Sequence, residues 1–285
     1  MLVDEELRSL FSLLDDPDHS IATAVTDRIR SRGREVLSPL LEFIDLAPDP
    51  LARERAEVLA REFNEELLLG EFAKLAHRMD QGDPKTLEDG AFLIARYGSP
   101  RLNLQQYRAK LDALAGKLSD FLYGIDSPLE MLLATNSFFF DEEKFRGNEN
   151  TFLEAKNSYV SDVIDRRLGI PISLAVVYIL IARDRVGLPF SGASTPGHFL
   201  IRYDGVEDEP LFVDAFNGGL ILKQRDIKRF LELSKLPFDE AFLRPASPRA
   251  ILLRMIRNLI IVFTETQDEV ARKAFDRFMK VIQKP

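Results

Sequence analysis

From Gly169 to Ala182 nearly every position is apolar, leaving no polar face for water. Such a run, opened by Gly169-Ile170-Pro171, predicts a buried central helix from about Ile172 to Val186. Further on the period shortens to two. His198–Tyr203 and Leu211–Phe216 read as strands joined by the loop from Asp204 to Pro210. Helical spacing marks the remainder: Leu102–Leu122, Pro128–Phe140, the short Val160–Leu168, then Pro248–Thr264 and Gln267–Ile282 as an antiparallel pair.

The first third is repetitive. Asp16-Pro17, Asp49-Pro50 and Asp83-Pro84 recur at intervals of 33 and 34 residues, each ahead of a helical pattern with a small residue near its middle (Ala24, Ala56, Ala91). Aspartate followed by proline starts a helix well, because proline lacks a donor that the first turn cannot use. A period of this length predicts stacked helical pairs of the HEAT kind. The organisation expected is therefore a HEAT-like helical region over 1–99, an α+β core over 100–246 and a C-terminal helical pair over 247–285.

Charge and composition narrow the functions available. Acidic residues outnumber basic ones, 46 to 38, for a net charge of −8. That balance argues against nucleic acid, which needs a basic face. Arg28, Arg30, Arg32 and Arg34 spread around a helix at alternate positions and read as solvated surface. There is no cysteine, so disulfides, thiolate metal sites and thiol chemistry are excluded. Asp4, Glu5 and Glu6 stand where a secretory signal would carry basic residues, and no apolar run reaches the roughly 20 residues that span a bilayer. The expectation is a cytoplasmic protein with no membrane contact.

The candidate chemistry lies at the two strands. If their hairpin folds symmetrically about Val206, His198 faces Asp214 directly across the ladder, close enough for an imidazole–carboxylate hydrogen bond. Alternation then puts His198, Leu200 and Arg202 on one face and Phe199, Ile201 and Tyr203 on the other. This is the base and orienter of a nucleophilic triad. Ser173 is a candidate nucleophile or, alternatively, a first-turn residue of the central helix. Asp214 reads either as the orienter or as a cap on the Asn217-Gly218-Gly219 turn. Asn157 and Asn217 are candidate binding residues that also suit turns. The other histidines, His19 and His77, lie in the helical first third, so no metal site or cofactor is expected.

Several runs taken together carry a family resemblance: Asn157-Ser158-Tyr159, Arg166 to Leu174, Pro196-Gly197-His198-Phe199-Leu200, and Asp214-Ala215-Phe216-Asn217-Gly218-Gly219. From about Ala91 to the C-terminal helices the chain resembles the SirB-type family, transglutaminase-like proteins with a tetratricopeptide-like tail. The resemblance implies a papain-like α+β core in which a central helix packs on an antiparallel sheet. It also implies a catalytic cysteine at the N-terminus of that helix, with histidine and aspartate on successive strands. His198 and Asp214 match the latter two. The cysteine position falls on Pro171, Ile172 or Ser173, and of these only Ser173 has nucleophilic chemistry. The leading expectation is a catalytically degenerate protein that binds a protein or peptide partner. The alternatives are a serine-type hydrolase or amidase using Ser173, His198 and Asp214, and a purely structural scaffold. Oligomeric state is left open.

Overall fold

The aspartate–proline pairs stand at or near helix starts, where their chemistry places them. The computed structural model describes residues 5–207 and 209–283; Asp4, used in the charge argument, and Asp208 of the hairpin loop lie outside the described residues. Helices α1 (Glu5–Ser12), α2 (His19–Ser31), α3 (Leu37–Leu46) and α4 (Pro50–Asp80) follow in order. Asp49 caps α4, its Oδ1 accepting from Leu51 N at 2.8 Å and Ala52 N at 2.9 Å. Asp16 accepts from Asp18 N, and Asp18 in turn caps α2. The paired helices implied by a HEAT-like period do not form in the second interval, because α4 runs unbroken for 31 residues. Nothing between Pro50 and Asp80 breaks it: no second proline intervenes, and Gly70 alone costs only about 1 kcal/mol.

Two compact units are present, 1–71 and 72–285. In the first, Phe11, Leu14, Ile29, Val36, Leu40, Ala56 and Leu59 form the core. Two of the arginines in the basic run are paired on the surface: Arg28 with Glu6 at 2.6 Å and Arg30 with Glu62 at 3.0 Å. The division at 71/72 differs from the expected one at 99/100, and the C-terminal helices lie in the same unit as the sheet.

The second unit holds α5 (Thr86–Gly98), α6 (Leu104–Phe121) and α7 (Pro128–Ser137), with a π turn over Phe138–Glu142. Strand β1 (Arg146–Gly147) pairs in parallel with β2 (Leu168–Gly169), on either side of α8 (Val160–Arg166). Then come α9 (Pro171–Ala182), β3 (Phe190–Thr195), β4 (His198–Tyr203), β5 (Leu211–Asp214), β6 (Leu220–Leu222), α10 (Gln224–Leu233), α11 (Pro248–Glu265) and α12 (Glu269–Gln283). Helix α5 belongs here because its apolar face meets the C-terminal pair. Gly90 brings the backbone so close to Leu252 that a Cβ would sit 2.2 Å from a methyl carbon. Tyr97 packs edge-on to Phe275 at 4.9 Å between ring centres.

Helix α9 is buried at every residue from Ile172 to Ala182. It lies against a four-stranded antiparallel sheet in the order β3-β4-β5-β6. Phe190, Phe199, Ile201 and Tyr203 share one sheet face, where Tyr178 of α9 meets Phe190. On the opposite face Ala193, Leu200 and Phe212 pack with Ile227 and Leu231 of α10.

The hairpin differs from its expected register. Ile201 pairs with Val213, Arg202 with Phe212 and Tyr203 with Leu211, so the turn centres on Glu207 and not on Val206. The expected register would have set Pro210, which has no N–H, inside the ladder. In the observed one pairing stops at Leu211 and leaves the proline in the loop. A slip of two positions along the partner keeps every side chain on its face.

Candidate functional site

Gly197 has φ +73 and turns the chain between β3 and β4, so that His198 opens β4 at the sheet's end. In the observed register His198 reaches Asp214 diagonally rather than directly, still within range of these side chains. Nε2 lies 2.8 Å from Asp214 Oδ2, although the in-plane N–H direction does not point at that oxygen. The contact is therefore a close imidazole–carboxylate pair without linear hydrogen-bond geometry, and Nδ1 is the nitrogen not facing the carboxylate.

Asp214 ends β5, 5% exposed. Its Oδ1 accepts from Phe216 N at 3.1 Å and Asn217 N at 3.2 Å, and Oδ2 accepts from Asn217 Nδ2 at 2.7 Å. The two readings of this residue thus coincide: it caps the turn and also faces His198. Burial pushes its carboxyl pKa up, but the close His198 imidazole and the hydrogen bonds of Asn217 outweigh burial and hold it below the usual aspartate value. Because the folded pKa is the lower one, its stabilisation is complete above the unfolded value, about pH 4, and is lost as pH falls through the folded value. Asp214→Asn is expected to flatten the acid limb of a melting-temperature profile taken below about pH 4. An unchanged slope would mean that the carboxylate carries no such linkage.

The turn after Asp214 is tied to the central helix. Gly219 N donates to Asp214 O at 2.9 Å, and Gly219 O accepts from Asn136 Nδ2 at 2.8 Å. Asn136 Oδ1 takes the Tyr178 hydroxyl at 3.0 Å. Gly219 must be glycine, with φ +80 and the Phe140 ring 2.3 Å from where a Cβ would stand. Tyr178→Phe leaves Asn136 Oδ1 short of a donor in the core and is expected to lower stability by about 1–2 kcal/mol, measured by urea denaturation.

Two of the other site candidates, Ser173 and Asn157, fall apart from this pair. Ser173 is 0% exposed. Its Oγ accepts from Ile170 N at 3.1 Å and donates to Asn157 O at 2.5 Å, fastening the first turn of α9. The structure does not bring this hydroxyl to His198. Asn157 is likewise fully buried. Its Nδ2 donates to Thr151 O at 2.6 Å, and its Oδ1 accepts from Asn148 Nδ2 at 2.9 Å, which folds the loop ahead of α8. Asn217, by contrast, is exposed at the site. Thr195, beside His198 across the ladder, is buried and donates its hydroxyl to His198 O at 2.9 Å.

A cleft of about 390 Å³ opens on one side of His198, with Pro171 and Ile172 in its wall and Phe152, Arg254, Arg257 and Ile261 around them. On the other side a groove of about 350 Å³ carries Leu220, Leu222, Ile227 and Phe230 beside Asp214 and Asn217. Sequence reasoning missed Arg254, which clips the β3–β4 turn. Its Nη1 donates to Thr195 O at 3.0 Å and its Nη2 to His198 O at 3.2 Å. The available signal was a pair of arginines, Arg254 and Arg257, interrupting an otherwise apolar helix.

A family model of the transglutaminase-like superfamily matches residues 105–257, which contain the central helix, the sheet and α11 as far as both arginines. The chain belongs to the transglutaminase-like superfamily. A UPF0162 protein of Xylella fastidiosa is 38% identical over 227 residues, covering 76% of this chain and 79% of that one. A UPF0162 protein of Pseudomonas aeruginosa is 30% identical, over 62% of this chain and 64% of the relative. F-box only protein 21 of Homo sapiens is 29% identical over 62% of this chain but 32% of its own length. No solved structure matches the chain. Among the described residues, no helix of this transglutaminase-like protein is long and apolar enough to cross a membrane.

Proposed function

We propose that this transglutaminase-like protein is catalytically degenerate and that its cleft binds a protein or peptide segment without turning it over. One observation carries the reading. The helix start that faces His198 across the cleft presents Pro171 and Ile172, which are hydrocarbon, while the imidazole, Asp214 and Asn217 keep an ordered arrangement. A base with no acidic proton beside it cannot generate a nucleophile from the protein itself. The hydroxyls of Ser173 and Thr195 are both engaged with backbone carbonyls. What is left is a concave, partly apolar surface of the kind that holds ligands. Within the superfamily, the runs around Asn157, Arg166 and Gly197 support the SirB-type assignment.

Activity-based labelling tests this. Neither a serine-directed phosphonate nor an acyl probe is expected to modify the wild-type protein above its His198→Ala variant. Labelling lost in both Ser173→Ala and His198→Ala would replace this reading with a serine-type hydrolase. A pure scaffold predicts something different again, that His198→Ala alters melting temperature and no binding.

A further inference from the structure

Arginines in the second unit with largely covered side chains meet carboxylates. Arg185 pairs with Glu88 at 2.8 Å, Arg167 with Glu143 at 2.7 Å and Arg166 with Glu154 at 2.8 Å. Arg254 departs from this. It is partly buried, and its hydrogen bonds go to neutral acceptors: Ser194 Oγ at 3.3 Å, Thr195 O and His198 O. Arg257, three residues along α11 and so on the same face, is exposed and has no ion-pair partner among the described residues. No aspartate or glutamate lines the cleft that these two arginines share with His198. In a chain of net charge −8, two adjacent uncompensated guanidiniums form a local positive site. Burial and the neighbouring Arg257 both lower the pKa of Arg254, as expected of a cation in want of a counter-charge.

We propose that the cleft takes an acidic side chain, aspartate or glutamate, of an extended peptide segment, with its carboxylate held by Arg254 and Arg257. The inference rests on the reading of the cleft as a binding site. A guanidinium fork fits a carboxylate through two parallel hydrogen bonds, which gives orientation as well as charge. A side chain within a segment fits better than a chain end, because Gly197 and His198 border both the cleft and the apolar groove beyond. A segment crossing at Gly197 sets its carboxylate against α11 and an apolar side chain against Leu220 and Phe230. Both of these hydrophobic residues are 55% exposed.

The experiment uses the full chain and end-capped octapeptide pools, randomised except for a central Glu, Gln or Lys. A fourth pool has Gln at the centre and a free C-terminus. Enrichment on immobilised protein is read by mass spectrometry, and fluorescence anisotropy then ranks the best binders. The Glu pool is expected to bind about tenfold more tightly than the Gln pool. Arg257→Gln should abolish that preference without altering the melting temperature, and Arg257→Glu should turn it towards Lys. Arg225→Gln, at an exposed arginine on α10, should leave it intact. Arg254→Gln is expected to lose the preference too, along with some stability from the unclipped turn. Peptides bound without acidic preference, and equally by Arg257→Gln, would overturn the carboxylate assignment while leaving the binding module standing. A preference for the free C-terminus would replace the side chain by a chain end. Loss of the preference in Arg225→Gln, or tighter binding of a single-stranded oligonucleotide at the arginines, would reduce the site to bulk charge or nucleic acid. No enrichment from any pool would remove both the assignment and the reading beneath it.

Discussion

Introducing a thiol at the start of α9 is expected to restore a reactive nucleophile. Pro171→Cys and Ile172→Cys each set a sulfur in the wall of the His198 cleft, at the first or second position of a 12-residue helix. Both influences that lower a thiol pKa are then in place, the helix N-terminus and a neighbouring imidazole able to carry charge. An isolated cysteine with pKa about 8.5 is well under 1% thiolate at pH 6, whereas one lowered to about 6.5 is roughly a quarter ionised. Alkylation by iodoacetamide at pH 6 should therefore proceed some tenfold to a hundredfold faster than for a free thiol in at least one variant. The advantage should disappear when His198→Ala is added. The wild type has no cysteine, so the background is zero. If both thiols react at the free rate, His198 is not aimed at the helix start and the degenerate-site account loses its geometry.

The second large effect concerns Asn157. Its side chain holds Thr151 O, Phe152 O and Asn148 Nδ2, and its carbonyl takes the Ser173 hydroxyl that fastens α9. Asn157→Leu has nearly the same volume but strands several of these groups in a buried place, each at about 1–3 kcal/mol. Partial access to water at Thr151 and Phe152 offsets some of that. A net loss of about 3 kcal/mol is expected in denaturant titration. In the peptide pools any binding that survives should keep its Glu preference. A stable Asn157→Leu protein that had lost only binding would return Asn157 to the ligand site.

How far these features were legible in the sequence follows from the range of the forces involved. The buried helix and the C-terminal pair were readable because burial imprints a local apolar pattern: Pro248–Thr264 was expected and Pro248–Glu265 is present. Strand β3 was not read, because Phe190-Ser191-Gly192-Ala193-Ser194-Thr195 is small and polar. It is a strand by virtue of its partners, with Gly192 placed where the Phe199 ring crosses. The link between His198 and Asp214 was legible as chemistry, but its register depended on Pro210, a turn residue given too little weight. The short range of sequence reasoning shows most at Ser173. Side-chain chemistry made it a candidate nucleophile beside the first-turn reading, and the carbonyl of Asn157, 16 positions earlier, takes its hydroxyl in that first turn. Arg254 was missed for a similar reason. Its acceptors lie on a different element, and neither they nor the lack of acid in the cleft is visible along the chain.

On the proposed reading, an ordered His198–Asp214 pair sits in a cleft that binds but performs no acyl chemistry. Turnover of a broad set of peptide, ester and glutamine-amide substrates, by wild type and His198→Ala side by side at pH 6 to 9, tests it most directly. Indistinguishable rates at background level are expected across the whole set. Turnover by the wild type that is lost in His198→Ala would contradict that reading and make the protein an enzyme.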